Sequence, residues 1–240
     1  MRAFVRSLVP LAALALMAGL ACDGPALPGT PPPTLAPDGG GDPVPSQPER
    51  SLYPITQGST WTYRITEQGL APYEKVLEVL GAQALPGSPG ASAILVRSIQ
   101  PHLQEDAYLV EHDGFVMRVR EEDRKQGNLA RTTTWLPATI KSLADSREAG
   151  WSGSFTTQET IRFPAGDEEQ KERVYVWRVL ATESVTVPAG TFEAVKVERV
   201  RPDKPDSLRT YWLVPGIGKV KETGERLEEL VAHDVRPSAP

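Results

Sequence analysis

Cysteine occurs once in this 240-residue chain, at Cys22. A lone thiol can act as nucleophile, metal ligand or attachment point, but it cannot staple its own chain. The three histidines, His102, His112 and His233, have neither an i,i+4 partner nor a cysteine companion, so zinc-site spacing is missing. His233 and Asp234 are adjacent, which on a strand points them to opposite faces, the wrong geometry for a proton relay. Carboxylates gather at Glu121, Glu122 and Asp123 and again at Asp167, Glu168 and Glu169, interleaved with lysine and arginine. Such runs read as solvated hairpin tips. Two acids on one sheet face could serve a glycosidase, but nothing singles out a pair. There is no G-x-S-x-G elbow, H-E-x-x-H, Walker loop or dinucleotide fingerprint. Gly216-Ile217-Gly218 follows Pro215 within a strand pattern and reads as close packing or a bulge. The expectation is a protein that is not an enzyme, with no catalytic residues, no metal and no cofactor. The chemistry left is attachment at Cys22.

The surroundings of Cys22 suit that chemistry. Arg2 and Arg6 precede an uncharged apolar run over residues 8–21 that ends in small residues, the layout of a secretory signal. Fourteen helical residues span about 21 Å, short of the roughly 30 Å hydrocarbon core, so a permanent span is disfavoured. Gly19-Leu20-Ala21-Cys22 resembles the bacterial lipoprotein signal, with Gly19 where that family prefers a branched aliphatic residue. The resemblance implies a diacylglyceryl group on the Cys22 thiol, cleavage just before it, and acylation of the new amine, palmitate being a typical chain. Ordinary cleavage with Cys22 left as a free thiol is the alternative. Several acyl chains anchor stably where one is marginal, at ~0.8 kcal/mol per buried methylene. The expected location is the cell envelope, lipid-anchored to the inner or the outer membrane, with the folded part in the periplasm or at the cell surface.

Residues 1–21 are thus expected to be a signal peptide and residues 22–50 a tether. From Asp23 to Arg50 the chain holds nine prolines and five glycines, with no aromatic residue. Such a stretch cannot build a core and is expected to be a disordered, semi-rigid spacer of up to about 85 Å. Residues 51–236 are long enough for one domain with a single core, and 237–240 form a tail. Without the signal, 24 cations face 31 acids, a charge of -7. That sign argues against a nucleic-acid partner.

What must position any site in residues 51–236 is sheet. Trp61, Tyr63 and Ile65 alternate with Thr62, Arg64 and Thr66. Phe115, Met117 and Val119 alternate with Arg118 and Arg120, and Trp151, Gly153 and Phe155 with Ser152 and Ser154. Asp113-Gly114 marks a two-residue hairpin. In VTVPAGTFEAVKV, residues 185–197, two alternating strands flank a Pro-Ala-Gly corner, and the apolar phase slips by one after Ala194, which predicts a β-bulge there. Residues 174–180 are apolar on both faces, as in a central strand. Residues 136–145 could form a turn or two of helix; Leu227, Leu230 and Val231 also have helical spacing, but residues 231–235 read as a closing strand, which is the expectation. Loops are expected at 85–92, 121–128, 166–173 and 201–207. The sum is a mainly β fold: a single curved antiparallel sheet or half-barrel with little helix.

YPITQGSTWTY at 53–63, VTVPAGTFEAVKV and YWLVPGIGKVKETG at 211–224 together resemble a broad group of uncharacterised secreted and lipid-anchored proteins of Gram-negative bacteria. Their pattern is G-x-x-W-x-Y, then V-P-A-G-T-F, then G-[VI]-G-x-V-K. The resemblance implies a curved antiparallel sheet and supplies no catalytic residues. The expected function is a membrane-anchored envelope lipoprotein with a non-catalytic binding or structural module, its partners being the membrane through the N-terminal lipid and a lipid or envelope protein. An alternative is a carrier of lipid or another apolar ligand on a concave face lined by Trp61, Tyr63, Phe115, Met117, Trp151, Phe155, Tyr175 and Trp177. A second alternative is a hydrolase with an unrecognised carboxylate site.

Overall fold

The computed structural model describes residues 51–237. The expected signal peptide and tether, with Cys22, lie outside the described residues, as do residues 238–240. Twelve antiparallel strands follow one another: β1 (Thr60–Thr66), β2 (Tyr73–Ala84), β3 (Ser92–Gln100), β4 (Leu103–His112), β5 (Phe115–Lys125), β6 (Asn128–Leu143), β7 (Ser152–Arg162), β8 (Glu168–Val187), β9 (Gly190–Arg201), β10 (Lys204–Val214), β11 (Gly218–Thr223) and β12 (Leu227–Asp234). Each pairs with its sequence neighbours, and β1 pairs with β12. The fold is mainly β as expected, but the sheet closes into a barrel where a half-barrel was the expectation.

Asp113 and Gly114 take positive φ of 51° and 76°, the hairpin corner expected from their types. Three expected loops shrink. β5 runs to Lys125 and β6 starts at Asn128, so only Gln126 and Gly127 turn; likewise β8 begins at Glu168 and β10 at Lys204. Residues 136–143, expected to start a helical turn, continue β6 and pair with β5 through Arg118↔Thr139 and Phe115↔Leu143. Ladder hydrogen bonds to β5 override the weak local helical preference. The closing strand expected over residues 231–235 is present and runs from Leu227 to Asp234, taking in the residues of helical spacing.

Two apolar clusters share the interior. One gathers Trp61, Tyr63, Ile65, Val79, Leu109, Val116 and Leu230; the other gathers Leu52, Ile140, Leu143, Trp177, Val179, Val197, Tyr211 and Leu213. Between Phe115 and Met117, which pack on the second cluster, Val116 belongs to the first. The start of β5, with the end of β6 beside it, is therefore covered on both faces and divides the core. The segment before β1 does the same: Leu52 is in the second cluster, while Tyr53 and Ile55 pack on the first. It is tied across the barrel by Leu52 N–H to the Ala144 carbonyl (2.7 Å), Gly216 N–H to Ser51 (2.9 Å) and Gly58 N–H to Val79 (2.8 Å).

The phase slip at Ala194 has the same origin. Ala194 and Phe192 pack with Val185 and Val187 on the first cluster, and Val195 and Val197 with Trp177 and Val179 on the second. The extra residue is Leu180 in the partner strand, where the register passes from Val179↔Val197 to Ala181↔Lys196; β9 itself carries no bulge against β8. The bulge expected after Ala194 is corrected to β8, because the hairpin buries opposite faces at its base and its tip.

Because Leu52 is fully buried in the segment that ties β6 to the β10–β11 corner, Leu52→Ala should cost about 2–5 kcal/mol of unfolding free energy, measured by urea denaturation.

Candidate functional site

The barrel has two chemically different ends. Where β1 ends and β2 begins, the inward positions are charged or polar: Lys75, Glu105, Glu121, Asp123, Arg209, Glu222 and Glu228. The end holding the 51–58 segment is filled by the apolar clusters. Lys75 neighbours Tyr63 across β1–β2, and Glu222 pairs with Glu228 across β11–β12. Register thus brings three strands' charges together.

Glu228, 2% exposed, is the hub. It accepts from Lys75, from Lys219 at 2.6 Å and from Arg226 at 2.8 Å, while Lys219 also donates to Glu222. Glu222 in turn meets Arg209 at 3.1 Å. Burial works to raise the Glu228 carboxyl, but Lys219, Lys75 and Arg226 hold it well below the usual carboxylate range. Burial likewise opposes the charge on Lys219, yet Glu222 and Glu228 keep it protonated, with its pKa well above the ordinary value. Lys75 goes the other way: burial and the neighbouring Lys219 lower its ammonium to about 8 despite Glu228.

A second group lies on β4, β5 and β6. Carboxylate oxygens of Glu105, Glu121 and Asp123 lie within 4.8 Å of one another, the one cluster among the described residues with spacing a metal ion could use. Cations already meet this group: Arg118 donates to Glu121 and Arg131 to Asp123, and Lys141 lies within electrostatic reach of Glu121 and Glu105. Burial, then Arg118 and Lys219, lower the Lys141 amine to about 8. Burial and the facing Glu121 push the Asp123 carboxyl up to about 6. An incoming cation would have to displace arginines or tolerate them, so the arrangement reads as a buried ion-pair network.

The end of the barrel opens beside the Arg209–Glu222 pair into a cavity of about 330 Å³ lined by Tyr175, Arg199, Arg201, Lys204, Asp206, Ser207, Arg209 and Glu225. It exists because β9 and β10 part company: Lys204 pairs with Arg201 and Arg209 with Arg199, leaving four residues of β10 opposite Val200. The Ser207 hydroxyl accepts from the Arg201 N–H at 3.0 Å, satisfying a backbone donor where the ladder breaks.

The eight residues expected to form one apolar ligand face are divided. Trp61 and Tyr63 belong to the first cluster, and Phe115, Met117, Trp151, Phe155, Tyr175 and Trp177 to the second. Phe115 meets Phe155 edge-on at 5.3 Å and Trp151 at 6.0 Å. Beside Trp61 and Tyr63 the free space is about 10 Å³, room for roughly one water. His112 sits on the surface against Asp113 (3.1 Å), and His102 and His233 are exposed. Glu121, Glu122 and Asp123, expected at a solvated tip, are buried, whereas Asp167, Glu168 and Glu169 are exposed. The signal that locates the network is charge at an apolar phase: Lys75 in Tyr73-x-Lys75-x-Leu77-x-Val79, and Glu228 two residues before Leu230.

No family model and no curated protein matches the sequence. Two solved structures are similar in arrangement. One, from Bacteroides fragilis NCTC 9343, is described as exported with a YmcC-like fold; it is 14% identical, with 77% of this chain and 99% of that one covered, at a TM-score of 0.44. The other, from Parabacteroides distasonis ATCC 8503, is described as a lipoprotein; it is 12% identical, with 78% and 100% covered, at a TM-score of 0.40.

Glu228→Gln should destabilise by about 3–5 kcal/mol, because Lys75 and Lys219 remain buried with too few acids, as read by chemical denaturation at pH 7. Asp123 carries the opposite sign. Its folded pKa of about 6 exceeds the unfolded value, so its contribution favours folding increasingly as pH falls from about 6 toward about 4. Carbon-detected NMR should place the Asp123 midpoint near 6, and Asp123→Asn should flatten that part of the stability profile.

Proposed function

We propose that this chain is a membrane-anchored lipoprotein of the cell envelope, held by lipid on Cys22, whose barrel is a non-catalytic binding or structural module. The observation that carries the module half of the reading is how the interior is filled. Its apolar end is occupied by its own side chains, and the buried charges of the other end are spent on one another. A carrier of acyl chains would need the first cluster to part, since about 10 Å³ beside Trp61 accepts no chain. A hydrolase would need a pair of free carboxylates facing a cavity; Glu105, Glu121 and Asp123 do not line the 330 Å³ opening, and of the two acids that do, Asp206 and Glu225, the second is paired with Arg209. The anchor half rests on Arg2, Arg6, the apolar run and the solitary cysteine.

Mass spectrometry of membrane fractions should find acyl chains on Cys22 at the mature N-terminus, and Cys22→Ala should abolish the modification. An unlipidated, soluble mature form of the wild-type protein would overturn the anchor.

A further inference from the structure

The binding-module half of that reading leaves open what is bound, and the cavity between β8, β9 and β10 supplies chemistry for an answer. Four of its lining residues are cations, Arg199, Arg201, Lys204 and Arg209, against two acids, Asp206 and Glu225. Two of the cations are engaged. Arg201 forms an ion pair with Asp203, and Arg209 with Glu222 and Glu225. Arg199 and Lys204 have no carboxylate partner among the described residues.

Arg199 is the informative one. Its guanidinium lies over the rings of Tyr175 (5.2 Å), Trp177 (5.7 Å) and Tyr211 (5.9 Å), and the last two stack on each other at 5.7 Å. Aromatic faces attract the cation and fix its plane without accepting its N–H bonds in the way a carboxylate would. A guanidinium held in one place, with no acid against it and an open cavity beside it, presents a preorganised fork for a planar or tetrahedral oxyanion. Lys75 and Lys219, by contrast, are matched by acids, Lys75 by Glu228 and Lys219 by Glu222 and Glu228. The break in the β9–β10 ladder that opens the cavity is capped by Ser207. A volume of about 330 Å³ falls at the small end of the ligand-pocket range of roughly 300–1,000 Å³.

We propose that this cavity is a binding site for an oxyanion, a phosphate or carboxylate group, seated on Arg199 with Lys204 at the rim. The ligand's source is either a small soluble anion or a phospholipid headgroup. The proposal rests on the binding-module reading and not on the lipid anchor.

The test uses the full chain in uncharged dodecyl maltoside micelles, with the Arg199 side-chain N–H followed by NMR. Inorganic phosphate is titrated in one arm, and phosphatidylglycerol is doped into the micelles in the other. A saturable shift with phosphate identifies a soluble-anion site; a shift with phosphatidylglycerol alone identifies a headgroup site. In either case Arg199→Gln, followed on the Trp177 indole N–H beside the site, should weaken binding at least tenfold. Lys204→Gln, at an exposed position without an ion pair, should weaken it severalfold without changing the melting temperature. No shift in either arm, or unchanged affinity in both variants, overturns the proposal. If acyl chains are still found on Cys22 in the same preparation, the lipid anchor, with a structural module in place of a binding one, survives that failure.

Discussion

Closing a sheet of twelve strands requires every ladder to satisfy its backbone groups, and the last one here does so over only two registered pairs, Lys221↔Glu229 and Glu222↔Glu228. Beyond them β11 and β12 diverge, and buried carbonyls on both would go unpaired at a cost of about 1–3 kcal/mol each. Side chains and a distant hairpin supply the missing donors. Trp61 Nε1–H donates to the Ile217 carbonyl at 2.7 Å, and the Tyr63 hydroxyl donates to Lys219 at 2.8 Å. From the other direction Ala189 N–H donates to the Leu230 carbonyl at 3.0 Å. The tryptophan and tyrosine of G-x-x-W-x-Y, the corner of V-P-A-G-T-F and the strand of G-[VI]-G-x-V-K therefore meet at one seam. Their separation in sequence is a consequence of closure: first strand, last strands, and the hairpin long enough to reach between them.

That seam also explains why the long β8–β9 hairpin changes faces. Its base lines the second cluster with Trp177 and Val197, but its tip must turn toward β12, and the extra residue at Leu180 exchanges inside for outside. At the tip, Glu183 accepts from Trp212 Nε1 at 2.8 Å and pairs with Lys196 at 3.2 Å, fastening the hairpin to β10. The seam and the charged interior join at Lys219, whose carbonyl takes the Tyr63 hydroxyl while its ammonium joins Glu222 and Glu228.

Much of this is legible in the sequence, and the illegible part has a physical cause. Alternation in residues 60–66 and 152–156 gives the right faces, because those strands are covered on one side only. It fails at Arg118, which the pattern sends to solvent opposite Phe115 and Met117. In the structure Arg118 turns inward to Glu121 because the first half of β5 is buried on both faces. Glu121 and Asp123 fail because a run of mixed charge looks the same whether its partners are water or arginines, here Arg118 of the same strand and Arg131 of β6. The phase slip at Ala194 was visible in the residues, but its location in β8 depended on pairing that no local pattern records. The oxyanion cavity was invisible, since Arg199 and Lys204 are separated from Tyr175 by a turn and a broken ladder.

Buried charge in such a barrel is an expensive way to fill space, since well-packed apolar residues are often as stable or more so. Its contribution here is to register. The side-chain period of a strand is two, so slipping β12 by one residue against β11 would send Glu228 to the outer face and Glu229 inward. Hydrophobic contacts resist that slip only through Leu230, because β12 offers few other apolar anchors. Lys75 resists it far more strongly, as it would be left buried without its acid, while Lys219 would keep only Glu222 and Arg226 would lose its partner. A ladder of two pairs cannot define its own register against thermal slippage, and the cations that converge on its Glu222↔Glu228 rung, Lys219 between the two acids and Lys75 from β2, help to do so for it.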